Sequence, residues 1–211
     1  MKAITIGAMH GRHDTVKYCL DRMPFIENYL VYSTDEDGAF LREHAHALAK
    51  VSNFPLSNKW SVAISLLRYI EFDYVIILGS DDYINQAFVD FVSEHITDCD
   101  MIGFTDIYFE QDNEFHYWSG YSGLNEGQTI GAGRCYTKSF LEKMNYSMYN
   151  SEANSGLDRM AYNEIVKFNP RIKTASIKDH NLVLVDVKDG KGITPITSIT
   201  NRVLTAYPNG N

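Results

Sequence analysis

Residues Tyr74-Val75-Ile76-Ile77-Leu78 form an unbroken apolar run that ends in Gly79-Ser80-Asp81-Asp82-Tyr83. A mostly β-branched run without alternation reads as a strand buried on both faces, typical of the centre of a parallel sheet. An open α/β sheet places its ligand crevice at the carboxyl ends of such strands. Two adjacent carboxylates at that end need solvent, a cationic side chain or a divalent metal to compensate them. The expectation is a metal, and behind the metal a diphosphate.

The segments on either side repeat the strand–loop–helix theme. Residues 2–6 read as a first strand, followed by Gly7-Ala8-Met9-His10-Gly11-Arg12, whose small residues let backbone approach a ligand. Val16, Cys19, Leu20 and Met23 then fall on one helical face, with Asp14 or Thr15 as N-cap and Pro24 beyond the end. Neither GxGxxG nor GxxxxGK[ST] occurs, so no dinucleotide fingerprint or P-loop is signalled. Residues 29–32 predict a second strand, and Ser33-Thr34-Asp35-Glu36-Asp37-Gly38 the loop at its end. Asp35 there suits a ribose or base contact, or equally the acidic first turn of a helix predicted over 39–50. Lys59 opens a helix carrying Val62, Ala63, Leu66, Leu67 and Ile70 at helical spacing. It reads either as a diphosphate contact at a helix N-terminus or as a solvated lysine.

Beyond the central run, the pattern predicts a helix over 85–95, a strand over 100–104 and a hairpin over 107–117. The Tyr117-Trp118-Ser119-Gly120-Tyr121 stretch offers stacking surface for a sugar, or ordinary packing. A strand entry at 130–136, a helix over 138–144 and a helix from Gly156-Leu157-Asp158-Arg159 follow. On local sequence alone, Asp158 is a helix-start carboxylate satisfying the helix dipole. Late strands are expected at 173–177 and 182–187, with His180 between them, and then a Thr/Ser-rich tail.

With 211 residues, 45% of them hydrophobic, the chain can bury a full core. A net charge of -8 argues against nucleic acid as partner but not against a small anionic ligand beside local cations. Three scattered cysteines give no disulfide or metal framework. No signal-peptide region or run long enough to span a membrane is present, which points to a cytoplasmic location, that of the host cell for a viral protein. Without repeats or linkers, a single domain over 1–211 is the economical reading. About 1–105 would form a nucleotide-binding half and about 106–211 an acceptor-binding half. The end at Tyr207-Pro208-Asn209-Gly210-Asn211 suits a cut before further domains of a longer polypeptide.

Taken together, the chain resembles the GT-A fold of nucleotide-sugar glycosyltransferases of the family-2 type. Within them it is similar to the N-terminal domain of a large algal-virus glycosyltransferase of capsid glycans. The resemblance runs over roughly residues 2–190. It is carried by the Gly7–Arg12 loop, Ser33-Thr34-Asp35, Lys59, the Gly79-Ser80-Asp81-Asp82 turn in place of the family's Asp-x-Asp, Gly131-Ala132-Gly133-Arg134 and Gly156-Leu157-Asp158. It implies an α/β, Rossmann-like domain with a central, mostly parallel sheet flanked by helices and a smaller acceptor-side hairpin or sheet. It further implies metal-dependent, inverting transfer of a hexose or deoxyhexose from a UDP-sugar to a glycan or glycoprotein acceptor. Asp158 would be the catalytic base; Asp81, Asp82 and His180 would hold Mn²⁺ or Mg²⁺. Gly7, His10, Arg12, Asp35, Lys59 and Ser80 would bind the nucleotide. As a lone histidine, His180 reads equally as a hydrogen-bonded structural imidazole. One departure stands out: the first Asp of the motif falls on Gly79. A non-catalytic nucleotide-sugar or carbohydrate-binding domain and a sugar-nucleotidyltransferase are the alternatives; the latter lacks a Gly-rich basic signature near the first strand.

Overall fold

The computed structural model describes residues 1–123, 127–149 and 152–190, together with the backbone of 203–205. The Thr/Ser-rich tail, apart from that short backbone piece, and parts of the polar stretches at 122–129 and 151–155 lie outside the described residues.

The chain begins β1 (Ala3–Ala8), α1 (His13–Asp21), β2 (Glu27–Tyr32), α2 (Asp35–His44), β3 (His46–Lys50), α3 (Leu56–Leu66) and β4 (Tyr74–Ile77). It continues through β5 (Asp82–Ile84), α4 (Gln86–His95), β6 (Met101–Phe104) and the hairpin β7 (Ile107–Gln111) and β8 (Glu114–Trp118). Then come β9 (Cys135–Thr137), α5 (Lys138–Lys143), α6 (Leu157–Ile165), β10 (Ile172–Ala175), β11 (Leu184–Val187) and β12 (Val203–Thr205). Seven strands form one sheet in the order β10-β6-β9-β4-β1-β2-β3, and five form a second in the order β12-β8-β7-β11-β5. Only β9 runs antiparallel to its neighbours in the large sheet.

The apolar run does what its composition dictates. All four residues of β4 are buried, at the middle of the large sheet. Tyr74, Ile76 and Leu78 join one apolar cluster with Phe88, Phe104 and Leu184. Val75 and Ile77 join another with Ala63, Ile64, Tyr136 and Ile165. Burying each such side chain contributes roughly 1.5–3 kcal/mol, and burial on both faces explains the lack of alternation.

Two local expectations need correction. The helix predicted over 39–50 is α2 followed by β3: Ala45 turns extended, and residues from His46 pair parallel with β2. The cap of α2 is a reciprocal box in which the Thr34 hydroxyl accepts from the Asp37 amide and Asp37 answers the Thr34 amide. The N-cap of α1 is Arg12, in left-handed backbone, rather than Asp14 or Thr15. Both sheets draw strands from the first and the second half of the chain. Strands β9 and β10 return to the large sheet, while β5 leaves it for the small one.

Candidate active site

After Leu78 the chain turns sharply at Gly79 and enters β5, a strand the sequence pattern did not announce. Strand β5 pairs antiparallel with β11 so that Asp82 stands directly opposite Asp186, and the Val187 amide donates to the Asp81 carbonyl at 2.8 Å. Asp81, Asp82 and Asp186 thereby present carboxylate oxygens that all lie within 4.8 Å of one another. Opposed like charges destabilise an antiparallel pair unless something neutralises them. Three groups of the chain do so in part: Arg12 Nη1 donates to Asp81 at 2.8 Å, Lys188 Nζ to Asp186 at 2.5 Å, and the Gly79 amide to Asp82 at 2.6 Å. Burial first, and then the charge of Asp186, push the Asp82 carboxyl well above the usual carboxylate range. Burial and then the charge of Asp81 raise Asp186 in the same way.

The residues fit a divalent cation. The donor set is all carboxylate oxygen, which suits hard ions. Asp186 Oδ1 is buried and has no hydrogen-bond partner among the described residues. Gly79, the departure from the family motif, has a steric reason: a Cβ there would lie 2.7 Å from Asp81 Oδ1 and 3.0 Å from Asp82 Oδ2. The missing first Asp is therefore space that the other two carboxylates occupy. Asp186 is the member that sequence reading missed; its only signal was an acid interrupting the apolar late strand.

His180 is not brought to this cluster. It is exposed, and its ring packs against Phe91 of α4 at 4.6 Å. Strand β11 begins after it and carries Asp186 in its second half, so the acid reaches the cluster while the imidazole stays before the strand's start.

The expected nucleotide contacts divide. Arg12 lies beside the cluster, bridging Asp81 and Asp189. His10 is exposed at the same loop, and Ser80 sits half-buried in the β4–β5 turn. Gly7 has a steric reason within the sheet, since a Cβ would lie 2.8 Å from the Leu78 carbonyl oxygen. Asp35 points outward, its side chain 92% exposed and paired with Lys50 at 2.9 Å. Its neighbour Asp37 is the buried acid, accepting from the amides of Gly11, Ser33 and Thr34 at 3.0, 3.2 and 3.1 Å and facing His13 Nε2 at 3.1 Å. Asp37 thus ties the first loop to the second, and the Thr34-x-x-Asp37 spacing of a capping box was its signal.

Lys59 is neither solvated nor available to a phosphate. It is 1% exposed, and Nζ donates to the Met9 carbonyl, to Ser33 Oγ at 2.6 Å and to Asn53 Oδ1 at 3.2 Å. Three donors meet three acceptors, so the ammonium is used up in holding three sheet-end loops together. Lys59→Met should cost about 2 kcal/mol in urea denaturation at pH 7, because the acceptors lose their donor. Burial pulls the Lys59 ammonium down to about 8, opposed in part by the charge of Asp37. The unfolded chain then binds more protons between pH 8 and the ordinary value of 10.5. The wild type should therefore gain stability relative to Lys59→Met as pH rises through that window, by up to about 3 kcal/mol.

Asp158 lies in the first turn of α6, exposed, with Oδ2 accepting from the Gly131 amide at 3.1 Å. A Cβ on Gly131 would sit 2.1 Å from Asp158 Oδ1, so only glycine admits the carboxylate there. Buried Arg134 fixes the same turn, donating to the Asp158 carbonyl at 2.8 Å and to Thr129 through Nε and Nη2. Asp158 and the three acids line one cavity of about 230 Å³, together with Arg134, Trp60 and Tyr149. That volume suits a small ligand, and aromatic side chains stand in its wall. In the expected stacking stretch, Trp118 packs edge-on against Tyr121 at 5.1 Å.

No protein-family model matches the chain, and neither does any curated protein. Solved structures do match. Residues 1–349 of TarS from S. aureus align with a TM-score of 0.60 at 16% identity, covering 89% of this chain and 61% of that one. The same TarS fragment in complex with UDP-GlcNAc aligns with a TM-score of 0.59 at 16% identity over 94% of this chain and 61% of that one. A197 from STIV gives 0.50 at 12% identity, over 88% and 95%. At these identities the likeness is one of fold: the chain has the GT-A, Rossmann-like architecture, and it spans about three fifths of TarS 1–349. Among the described residues no helix is long and apolar enough to cross a membrane.

Proposed function

We propose that this chain is a metal-dependent, inverting glycosyltransferase that moves a hexose or deoxyhexose from a UDP-sugar to a glycan or glycoprotein acceptor. The observation that carries the reading is one cavity lined by both the Asp81, Asp82 and Asp186 cluster and Asp158. The TarS structures with UDP and with UDP-GlcNAc support a nucleotide-sugar donor by likeness of fold. In this reading the chain acts as one domain in the cytoplasm, a setting that suits its three free, buried thiols.

Asp81, Asp82 and Asp186 would hold the cation. A bound Mn²⁺ or Mg²⁺ supplies positive charge that stabilises the departing diphosphate. Arg12 is a cationic side chain at the edge of that cluster and would neutralise a phosphate oxygen. Trp60 and Tyr149, tilted together at 6.4 Å, give the sugar an aromatic wall. Asp158 accepts the proton of the attacking hydroxyl. The Gly131 amide holds Oδ2, and Oδ1 is the oxygen that takes the proton. Attack from the face opposite the leaving group inverts the anomeric centre.

The test is release of UDP from a panel of UDP-sugars with and without Mn²⁺. Mn²⁺-dependent release from at least one donor is expected; nucleotide binding without release would instead favour the non-catalytic binding domain. The close fit of Gly79 against Asp81 and Asp82 supports the cation-site reading.

A further inference from the structure

Arg12 does more at this site than wait for a phosphate. It is one of the few non-glycine residues in left-handed backbone, at φ 58, directly after Gly11 at φ 61. Such a conformation costs of order 1 kcal/mol for a side-chain-bearing residue and persists where the surroundings demand it. From here the guanidinium reaches the turn between β4 and β5 and the end of β11. Nη1 donates to Asp81 Oδ2 at 2.8 Å, Nε to Asp189 Oδ2 at 2.6 Å, and Nη2 lies 3.4 Å from the Val187 carbonyl oxygen. The three side chains are shielded, with exposures of 17%, 23% and 21%. Thr15 Oγ1 donates to the same Asp189 oxygen at 2.8 Å. The guanidinium therefore lies against a carboxylate that belongs to the cation cluster.

We infer that Arg12 is a built-in competitor for the divalent cation, and that a diphosphate relieves the competition by drawing the guanidinium off Asp81. The inference rests on the cation site proposed above. An ion that ligates Asp81 must take its lone pairs from Arg12 or accept a nearby positive charge, and either weakens binding of the ion alone. A diphosphate offers Arg12 a doubly charged partner in a geometry that a guanidinium matches well. Once Arg12 turns to it, Asp81 is free for the ion. Linkage then requires that nucleotide and ion raise each other's affinity by the same factor. The device keeps the acid cluster neutralised until a nucleotide arrives.

The test uses Mn²⁺ alone, by calorimetry on the full chain, and needs no turnover. Arg12→Gly removes the charge and suits the left-handed backbone, so the fold is retained. It should bind Mn²⁺ about tenfold more tightly than the wild type, and the mutual enhancement between Mn²⁺ and UDP should fall by a similar factor. Arg12→Lys keeps the charge and should stay within about threefold of wild type. Equal or weaker Mn²⁺ binding by Arg12→Gly would overturn the competitor role while leaving the cation site standing. A gain in Arg12→Lys as large as in Arg12→Gly would do the same, since charge would not be the cause. Failure of both wild type and Arg12→Gly to bind Mn²⁺, with or without UDP, would remove the cation site and this inference with it.

Discussion

Asp158→Asn will leave Mn²⁺-dependent UDP binding within about twofold of wild type and lower sugar transfer by about a thousandfold. The two outcomes separate because, among the described residues, the hydrogen bonds of Asp158 run to Gly131 and Arg134, not to Asp81, Asp82 or Asp186. Its carboxylate rests on the Gly131 amide, and its main-chain carbonyl on Arg134. An asparagine keeps the shape and can still accept from Gly131, but it cannot take a proton from an attacking hydroxyl. Calorimetry with UDP and Mn²⁺ checks the first half, and UDP release in the presence of acceptor the second. Normal turnover in the variant would remove Asp158 as base; loss of UDP binding would make it part of the donor site instead.

Asp82→Asn should split stability from binding in the opposite sense. Asp82 is 5% exposed and faces Asp186 across the β5–β11 ladder, with Asp81 beside it. A neutral amide relieves the crowding of buried like charges, and its oxygen can still accept from the Gly79 amide. The cation-free variant should melt about 2–4 °C higher than wild type, as roughly 1 kcal/mol does in a chain of this size. It should lose the Mn²⁺-induced rise in melting temperature, and UDP affinity in Mn²⁺ should fall by about a hundredfold, the range typical of a lost metal ligand or its supporting shell. Asp81→Ala should show the same loss of metal-dependent UDP binding. Wild-type Mn²⁺ response in either variant would mean that these acids are not ligands.

The contrast between what was legible in the sequence and what was not is itself physical. The β4 run and the turn after it were readable because burial on both faces leaves an unbroken local pattern, and local patterns survive without tertiary information. The hairpin at β7 and β8 and the helix after Asn85 were readable for the same reason. Asp186 was not, because its place depends on β5 pairing with a strand from the far end of the chain. Nothing in the residues around either acid states that register. Lys59 was placed correctly at the start of α3 but given the wrong partner. Whether a helix-start lysine faces water or loop carbonyls is decided by the approach of β1, β2 and the segment around Asn53. Asp35 and Asp37 show the finer limit: two acids two residues apart on one helical turn, of which only the second points inward. His180 was assigned by resemblance alone, and its lone position carried no pattern that could test it.

The central claim is that a hard cation sits among Asp81, Asp82 and Asp186 and bridges to a diphosphate. Diffraction at the manganese absorption edge from crystals grown with Mn²⁺ and UDP tests it most directly. The account predicts an anomalous peak within about 2.5 Å of carboxylate oxygens from this trio and of the UDP phosphates. UDP bound with no such peak, or a peak at a different cluster with Asp81 still turned to Arg12 and Asp186 to Lys188, would contradict it.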